Sequence, residues 1–210
     1  MSCNVIAICN QKGGVGKTTT AINLAAALAG IGKKILILDL DPQGNASTGL
    51  GIEYSERTNS IYEVLSNAIP FDEGVKKTNL ENLFIIPSNV ELSGIEPELA
   101  NENDKAFVLK SLMNNSDSIN KYDYVFIDCP PALSLLTVMA MTAANSVLVP
   151  LQCEFFALEG LSQLIKTVDR VHKNLNPSLS IDGIILTMFD KRNKLSTQVA
   201  MDVKKHLQEK

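Results

Sequence analysis

The run Lys12-Gly13-Gly14-Val15-Gly16-Lys17-Thr18-Thr19 places two cations, three glycines and two hydroxyls within eight residues. That set suits the holding of a phosphate chain. Glycines let backbone N–H groups converge on an anion, and the start of a following helix adds partial positive charge. Lys17 would reach the β- and γ-phosphates, and the Thr18 hydroxyl can hold Mg²⁺. The surroundings agree: the apolar run Val5–Cys9 reads as a buried strand before the turn, and the Ala-rich stretch Thr18–Ala29 as a helix after it. The usual P-loop spacing is G-x-x-x-x-G-K-[ST]. Here Gln11 stands at the first glycine position and Lys12 follows it, giving the deviant form Lys-Gly-Gly-x-Gly-Lys-[Thr/Ser]. Gly13, Gly14, Val15, Gly16, Lys17, Thr18 and Thr19 are the candidate nucleotide-binding residues.

Three carboxylates fall where such a loop needs them. The segment Ile35-Leu36-Ile37-Leu38-Asp39-Leu40-Asp41 ends an apolar run with two, and Tyr124-Val125-Phe126-Ile127-Asp128 ends another with one. Ligands of open α/β sheets bind at the carboxyl ends of the strands, so all three can converge on the phosphates. A carboxylate after an apolar strand is the Walker B arrangement, which holds Mg²⁺ directly or through water. The alternative for Asp128 is a helix N-cap or turn residue. Spacing alone does not say whether Asp39 or Asp41 is the functional one.

The elements that must carry these groups alternate along the chain. Strands are expected at Val5–Cys9, Ile35–Asp39, Leu83–Pro87, Tyr124–Asp128, Ser146–Pro150 and Ile181–Met188. Helices are expected at Thr18–Ala29, Ile61–Ser66, Lys105–Asn114, Ser134–Ala144, Leu158–Leu175 and Ser196–Gln208. Alternation of this kind predicts an α/β fold, a mostly parallel twisted sheet between two helical layers. Residues 41–60 and 88–104 are polar and rich in Gly, Asn and Glu, which predicts loops or short helices. At 210 residues the chain suits a single domain spanning 1–210. No run approaches the ~18 apolar residues of a membrane span, and an immediate first strand leaves no room for a signal peptide, so a cytoplasmic protein is expected. Cys3, Cys9, Cys129 and Cys153 show no C-x-x-C spacing and read as buried reduced thiols.

With those motifs, the chain resembles the ParA/Soj-type ATPases of the deviant Walker A (MinD/ParA) family. The matching stretches are Gln11–Thr20, Asp39–Gly51, Ile86–Leu92, Tyr122–Pro131 and Leu186–Asp190. The resemblance implies a P-loop NTPase-type three-layer α/β/α fold and a Mg²⁺-dependent ATPase. It implies an ATP-bridged homodimer that binds DNA non-specifically and is stimulated by a centromere-binding ParB-like partner, so that it partitions chromosomes or plasmids at the nucleoid. It also implies roles: Lys17 on the phosphates, Thr18 on Mg²⁺, Asp41 positioning the attacking water, Asp128 in the outer shell of the metal and Asp39 supporting it. Lys12 would reach across the dimer to the partner's nucleotide, coupling hydrolysis to dimerisation as an arginine finger does. The family generally continues past a helix like Ser196–Gln208, and the expectation is a domain lacking that C-terminal segment.

Charge bears on DNA only locally. The whole chain carries −4, but residues 160–210 carry +4, with Lys191, Arg192 and Lys194 in one loop and Lys204, Lys205 and Lys210 on the last helix. A basic face of this kind either neutralises phosphates or is ordinary solvated surface. On the same helix Leu195, Val199, Val203 and Leu207 recur every fourth residue. Such a stripe more often packs on a core than lies on a membrane, although the membrane reading belongs to MinD-type, division-site relatives. Phe155, Phe156 and Leu158 are expected in core or lid packing, with a partner surface as the alternative. A biosynthetic or metal-cluster-delivering relative would need a Cys pair near a dimer interface, and the spacing offers none.

Overall fold

The computed structural model describes residues 3–208. Seven strands form one sheet: β1 (Asn4–Ile8), β2 (Ile35–Asp39), β3 (Lys76–Lys77), β4 (Leu83–Ile86), β5 (Tyr124–Asp128), β6 (Ser146–Gln152) and β7 (Ser180–Thr187). The helices are α1 (Lys17–Gly30), α2 (Asn45–Gly49), α3 (Ile61–Leu65), α4 (Ile95–Glu98), α5 (Val108–Asn114), α6 (Leu135–Ala143), α7 (Ala157–Asn174) and α8 (Lys194–Gln208). Sheet order is β3-β4-β2-β5-β1-β6-β7, and all pairs are parallel except the short β3–β4.

The central strands are apolar along their whole length because both faces are covered. Ile35, Ile37, Ile6, Ile8 and Phe126 face α1, whose buried Ala21, Ala25 and Ala29 let the helix lie close to the sheet. Leu36, Leu38, Val5, Ala7, Val125 and Ile127 face the opposite layer, built from α3, α5, α6 and α7. Leu161, Leu164, Ile165, Val168 and Val171 give α7 its single apolar stripe. At the sheet's edge β7 is only partly covered.

Residues 41–60 and 88–104 hold the loops and short helices expected there, α2, α4 and short 3₁₀ turns. Other expectations are adjusted. The helix expected over Lys105–Asn114 is a 3₁₀ turn, Lys105–Phe107, leading into α5. Strand β3 gave no sequence signal, because two consecutive lysines at a sheet edge carry no apolar alternation. Phe155 and Phe156 are not core residues: they stand 77% and 66% exposed, with their rings in edge-to-face contact. On α8, Val199 and Val203 are buried in the core shared with α7, which accounts for that stripe as packing, while Leu195 is exposed. Lys210, like the side chain of Leu207, lies outside the described residues. Among the described residues no helix is long and apolar enough to cross a membrane.

Candidate nucleotide site

The turn after β1 wraps the start of α1. Gly14 and Gly16 adopt φ of 74° and 87°, a region that L side chains rarely enter, so glycine is required at both. Gly16 caps α1 without a side-chain bond, which leaves the first backbone N–H groups of the helix free for an anion. The turn is fixed from three sides. Asn10 donates Nδ2 to Pro150 O at 2.7 Å and accepts the Lys12 N–H at 3.0 Å. Thr187 donates its hydroxyl to Val15 O at 2.8 Å. Lys17 Nζ donates to Lys12 O at 3.0 Å.

Above the turn lies a cavity of about 570 Å³, lined by Gly13, Gly14, Gly16, Lys17, Thr18 and Thr19 on one side and by Asp41, Gln43, Asn45 and Pro131 on the other. The Val15 side chain is buried beneath it. Gln43, Asn45 and Pro131 were not singled out in the sequence, although each sits in a stretch that carries the family resemblance. Lys12 is not part of the wall. Its Nζ pairs with Glu154, in the turn between β6 and α7 and 142 residues away.

The carboxylates separate by environment. Asp39 and Asp128 are register partners on neighbouring strands, and both are fully buried. Asp39 has its oxygens occupied: Oδ1 accepts Asp41 N, while Oδ2 accepts the backbone N–H and the hydroxyl of Ser47 at 2.8 and 2.7 Å. Burial still pushes it up to about 6. Neither oxygen of Asp128 has a partner in full hydrogen-bond geometry, although the Thr18 hydroxyl lies near enough to pull on it. Burial first, and then the neighbouring Asp39, push it up to about 7, against the opposing pull of Thr18 and Lys17. Lys17 is itself lowered by burial, with Asp128 and Asp41 drawing it back. Asp41 lines the cavity and accepts Gln43 N at 3.0 Å.

Two buried, unpartnered carboxylate oxygens beside a threonine hydroxyl and an open cavity form an all-oxygen donor set that suits Mg²⁺. Among the described residues no three acidic, His or Cys side chains cluster as a metal site by themselves. A bound phosphate and water would complete a shell around Thr18 and Asp128, as Mg²⁺ sites at nucleotides usually require.

Cys9 and Cys129, the residues just after β1 and β5, bring their Sγ atoms to 3.1 Å beneath this site, and both are free thiols. Cys153 is likewise buried, and Cys3 is partly exposed. In the basic C-terminal quarter, Lys191, Lys194, Lys204 and Lys205 are exposed. Arg192 is also exposed, but it pairs with Asp190 at 2.8 Å, so part of its charge is matched locally.

Comparison with known proteins agrees with this geometry. A family profile described as an AAA domain matches residues 3–181. The chromosome partitioning protein ParA of Caulobacter vibrioides is 53% identical over the whole chain, which spans 80% of that protein. The sporulation initiation inhibitor protein Soj of Bacillus subtilis is 49% identical over 98% of the chain and 81% of its own length. Among solved structures, one described as cobyrinic acid a,c-diamide synthase from Mycobacterium smegmatis, with bound ADP and magnesium, superposes with a TM-score of 0.91. It is 37% identical and covers 97% of this chain and 82% of its own. With a P-loop and Asp41 lining one cavity, two buried strand-end carboxylates in register on neighbouring strands, and half of its residues shared with curated partitioning proteins, this chain belongs to the ParA/Soj family of partitioning ATPases.

Proposed function

We propose that residues 1–210 form one Mg²⁺-dependent ATPase domain that dimerises on ATP, holds DNA without sequence preference in that state, and lets go after hydrolysis. A centromere-binding ParB-like partner would set the timing. The observation that carries the reading is the single cavity onto which Lys17, Thr18 and Asp41 converge, above an Asp128 whose buried oxygens lack partners in full hydrogen-bond geometry. The greater likeness to curated ParA and Soj proteins favours partitioning over the biosynthetic activity in the description of the M. smegmatis structure.

In this reading the N–H groups of Gly13–Thr19 cradle the phosphates, and Lys17 exchanges its bond to Lys12 O for the β- and γ-oxygens. Thr18 would coordinate the Mg²⁺ and Asp128 would hold it from the outer shell, with Asp39, the register partner of Asp128, supporting the metal. When bound, the metal neutralises charge that develops on the phosphoryl oxygens. Asp41, at the cavity wall, orients the attacking water. Lys12 leaves Glu154 and reaches the nucleotide of the second protomer. Lys191, Lys194, Lys204 and Lys205 then present exposed cations from two subunits at once, and a doubled set of phosphate contacts binds DNA far more tightly than a single one.

Retention of the purified protein on unrelated DNA fragments, with ATP, ADP or no nucleotide and at two salt concentrations, tests this. Retention only with ATP, falling steeply with salt, is expected. Equal retention with ATP and ADP, or ATP-dependent binding to anionic liposomes in place of DNA, would reject partitioning in favour of a membrane-cycling role.

A further inference from the structure

Arg57 lies just beyond the nucleotide cavity and is 6% exposed, and among the described residues no carboxylate pairs with it. A buried, unpaired guanidinium is costly unless every N–H is satisfied. Here all five are. Nε donates to Ile52 O at 3.2 Å, one terminal nitrogen to Gly44 O and Ser88 O at 3.4 and 3.3 Å, and the other to Thr48 Oγ1 and Ile52 O at 2.8 and 2.9 Å. With no donor left for a ligand, the fork serves the protein's own backbone. Tyr54 covers it from outside, with its ring centroid 5.8 Å from the guanidinium carbon.

What the fork holds is the turn that carries Asp41. Gly44 N donates to Asp41 O at 2.8 Å, and Gln43 N to Asp41 Oδ1 at 3.0 Å, so Asp41 and Gly44 move as one unit. Gly44 sits at φ 61°, and a Cβ there would lie 2.4 Å from Arg57 and 2.9 Å from Ser88 O. The guanidinium therefore packs where a side chain would otherwise stand. The far end of the brace is equally fixed: Ser88 N donates to Ser47 Oγ at 2.9 Å, and Ser47 holds Asp39. Thus Arg57 ties the end of β4, the α2 segment and the Ile52 turn to the loop beneath the cavity wall.

We propose that Arg57 is a positioning residue for hydrolysis, locking the Asp41–Gly44 turn so that Asp41 faces the attacking water. This rests on the reading of Asp41 given above. A lysine would keep the charge, but its single ammonium cannot span Gly44 O, Ser88 O, Thr48 Oγ1 and Ile52 O together.

The test compares wild type with Arg57→Lys by three measurements. These are single-turnover hydrolysis of radiolabelled ATP, equilibrium binding of a fluorescent ATP analogue, and amide exchange over residues 41–48. The hydrolysis rate constant should fall on the order of 10- to 100-fold, the penalty for a displaced catalytic group. Nucleotide affinity should change far less than the rate, because residues 13–19 are untouched, and exchange should quicken within 41–48 and in the Ile52 and Ser88 segments that the same guanidinium holds, and not elsewhere. Arg57→Ala supplies a second variant, whose hydrolysis should recover when guanidinium is added at low millimolar concentration. Unchanged hydrolysis in Arg57→Lys, or affinity falling in step with it, overturns the proposal. If wild type itself does not hydrolyse ATP, or Asp41→Ala hydrolyses normally, the functional reading fails instead. Exchange over 41–48 then still judges the brace: faster exchange in Arg57→Lys supports it and unchanged exchange overturns it.

Discussion

Replacing Glu154 by Gln should tighten the ATP-dependent dimer. In the protomer, Glu154 pairs with Lys12, the lysine proposed to reach the partner's nucleotide, so each protomer must break this pair before the sandwich closes. The two side chains are 44% and 40% exposed, which gives the contact the strength of a surface ion pair, about 0.2–1 kcal/mol. Two such pairs open per dimer. Removing both penalties should lower the dimer dissociation constant by between roughly 2-fold and roughly 30-fold. Sedimentation velocity across a concentration series, with a non-hydrolysable ATP analogue, measures the constant directly. A double-mutant cycle isolates the cause: in a Lys12→Ala background the Glu154→Gln change should have no effect. High salt should shrink the difference, since screening weakens an exposed pair in the same way. A Glu154→Gln dimer no tighter than wild type, or one tightened equally without Lys12, would refute the idea that the protomer holds its signature lysine in reserve.

Two other perturbations address the site itself. Lys17→Ala should lose nucleotide affinity or turnover outright, whereas Asp41→Ala should keep ATP and slow hydrolysis by on the order of 10²–10⁴-fold, accumulating as an ATP-bound dimer by size exclusion. A monomeric or normally active Asp41→Ala protein would move the water-orienting role elsewhere. The third concerns pH. Because burial raises the folded-state values of Asp39 to about 6 and Asp128 to about 7, the ligand-free fold holds these protons longer than the unfolded chain does. The penalty is absent below about pH 4, grows as pH rises through 6 and 7, and is constant above, reaching about 4 kcal/mol for Asp128. Asp128→Asn should therefore gain stability relative to wild type between pH 5 and pH 8 in thermal melts without nucleotide. A pH-independent difference would contradict the burial argument.

How much of this was legible in the sequence follows from where the constraints lie. Ile35–Asp39 and Tyr124–Asp128 form strands with the expected bounds because a parallel strand covered on both faces is apolar at every position. The P-loop was legible because backbone convergence on phosphate demands glycine at fixed spacing, and Gly14 and Gly16 take the positive φ that explains the demand. Roles set by tertiary partners were not legible. Asp39 and Asp128 look alike as strand-end carboxylates. They diverge because α2 swings Ser47 onto Asp39, whereas Asp128 faces Thr18 and Lys17 at the start of α1. Nothing in the sequence pairs Lys12 with Glu154, which the turn after β6 brings beside it, and Arg57 carried no signal there, since its five carbonyl and hydroxyl contacts come from scattered segments. Sequence motifs mark groups whose chemistry depends on their immediate neighbours. The groups that hold Lys12 and Asp41 in place come from distant segments, and they are ordinary residue types whose position alone makes them matter. Substitutions at Glu154 and Arg57 thus probe control of the switch, whereas substitutions within the P-loop only remove it.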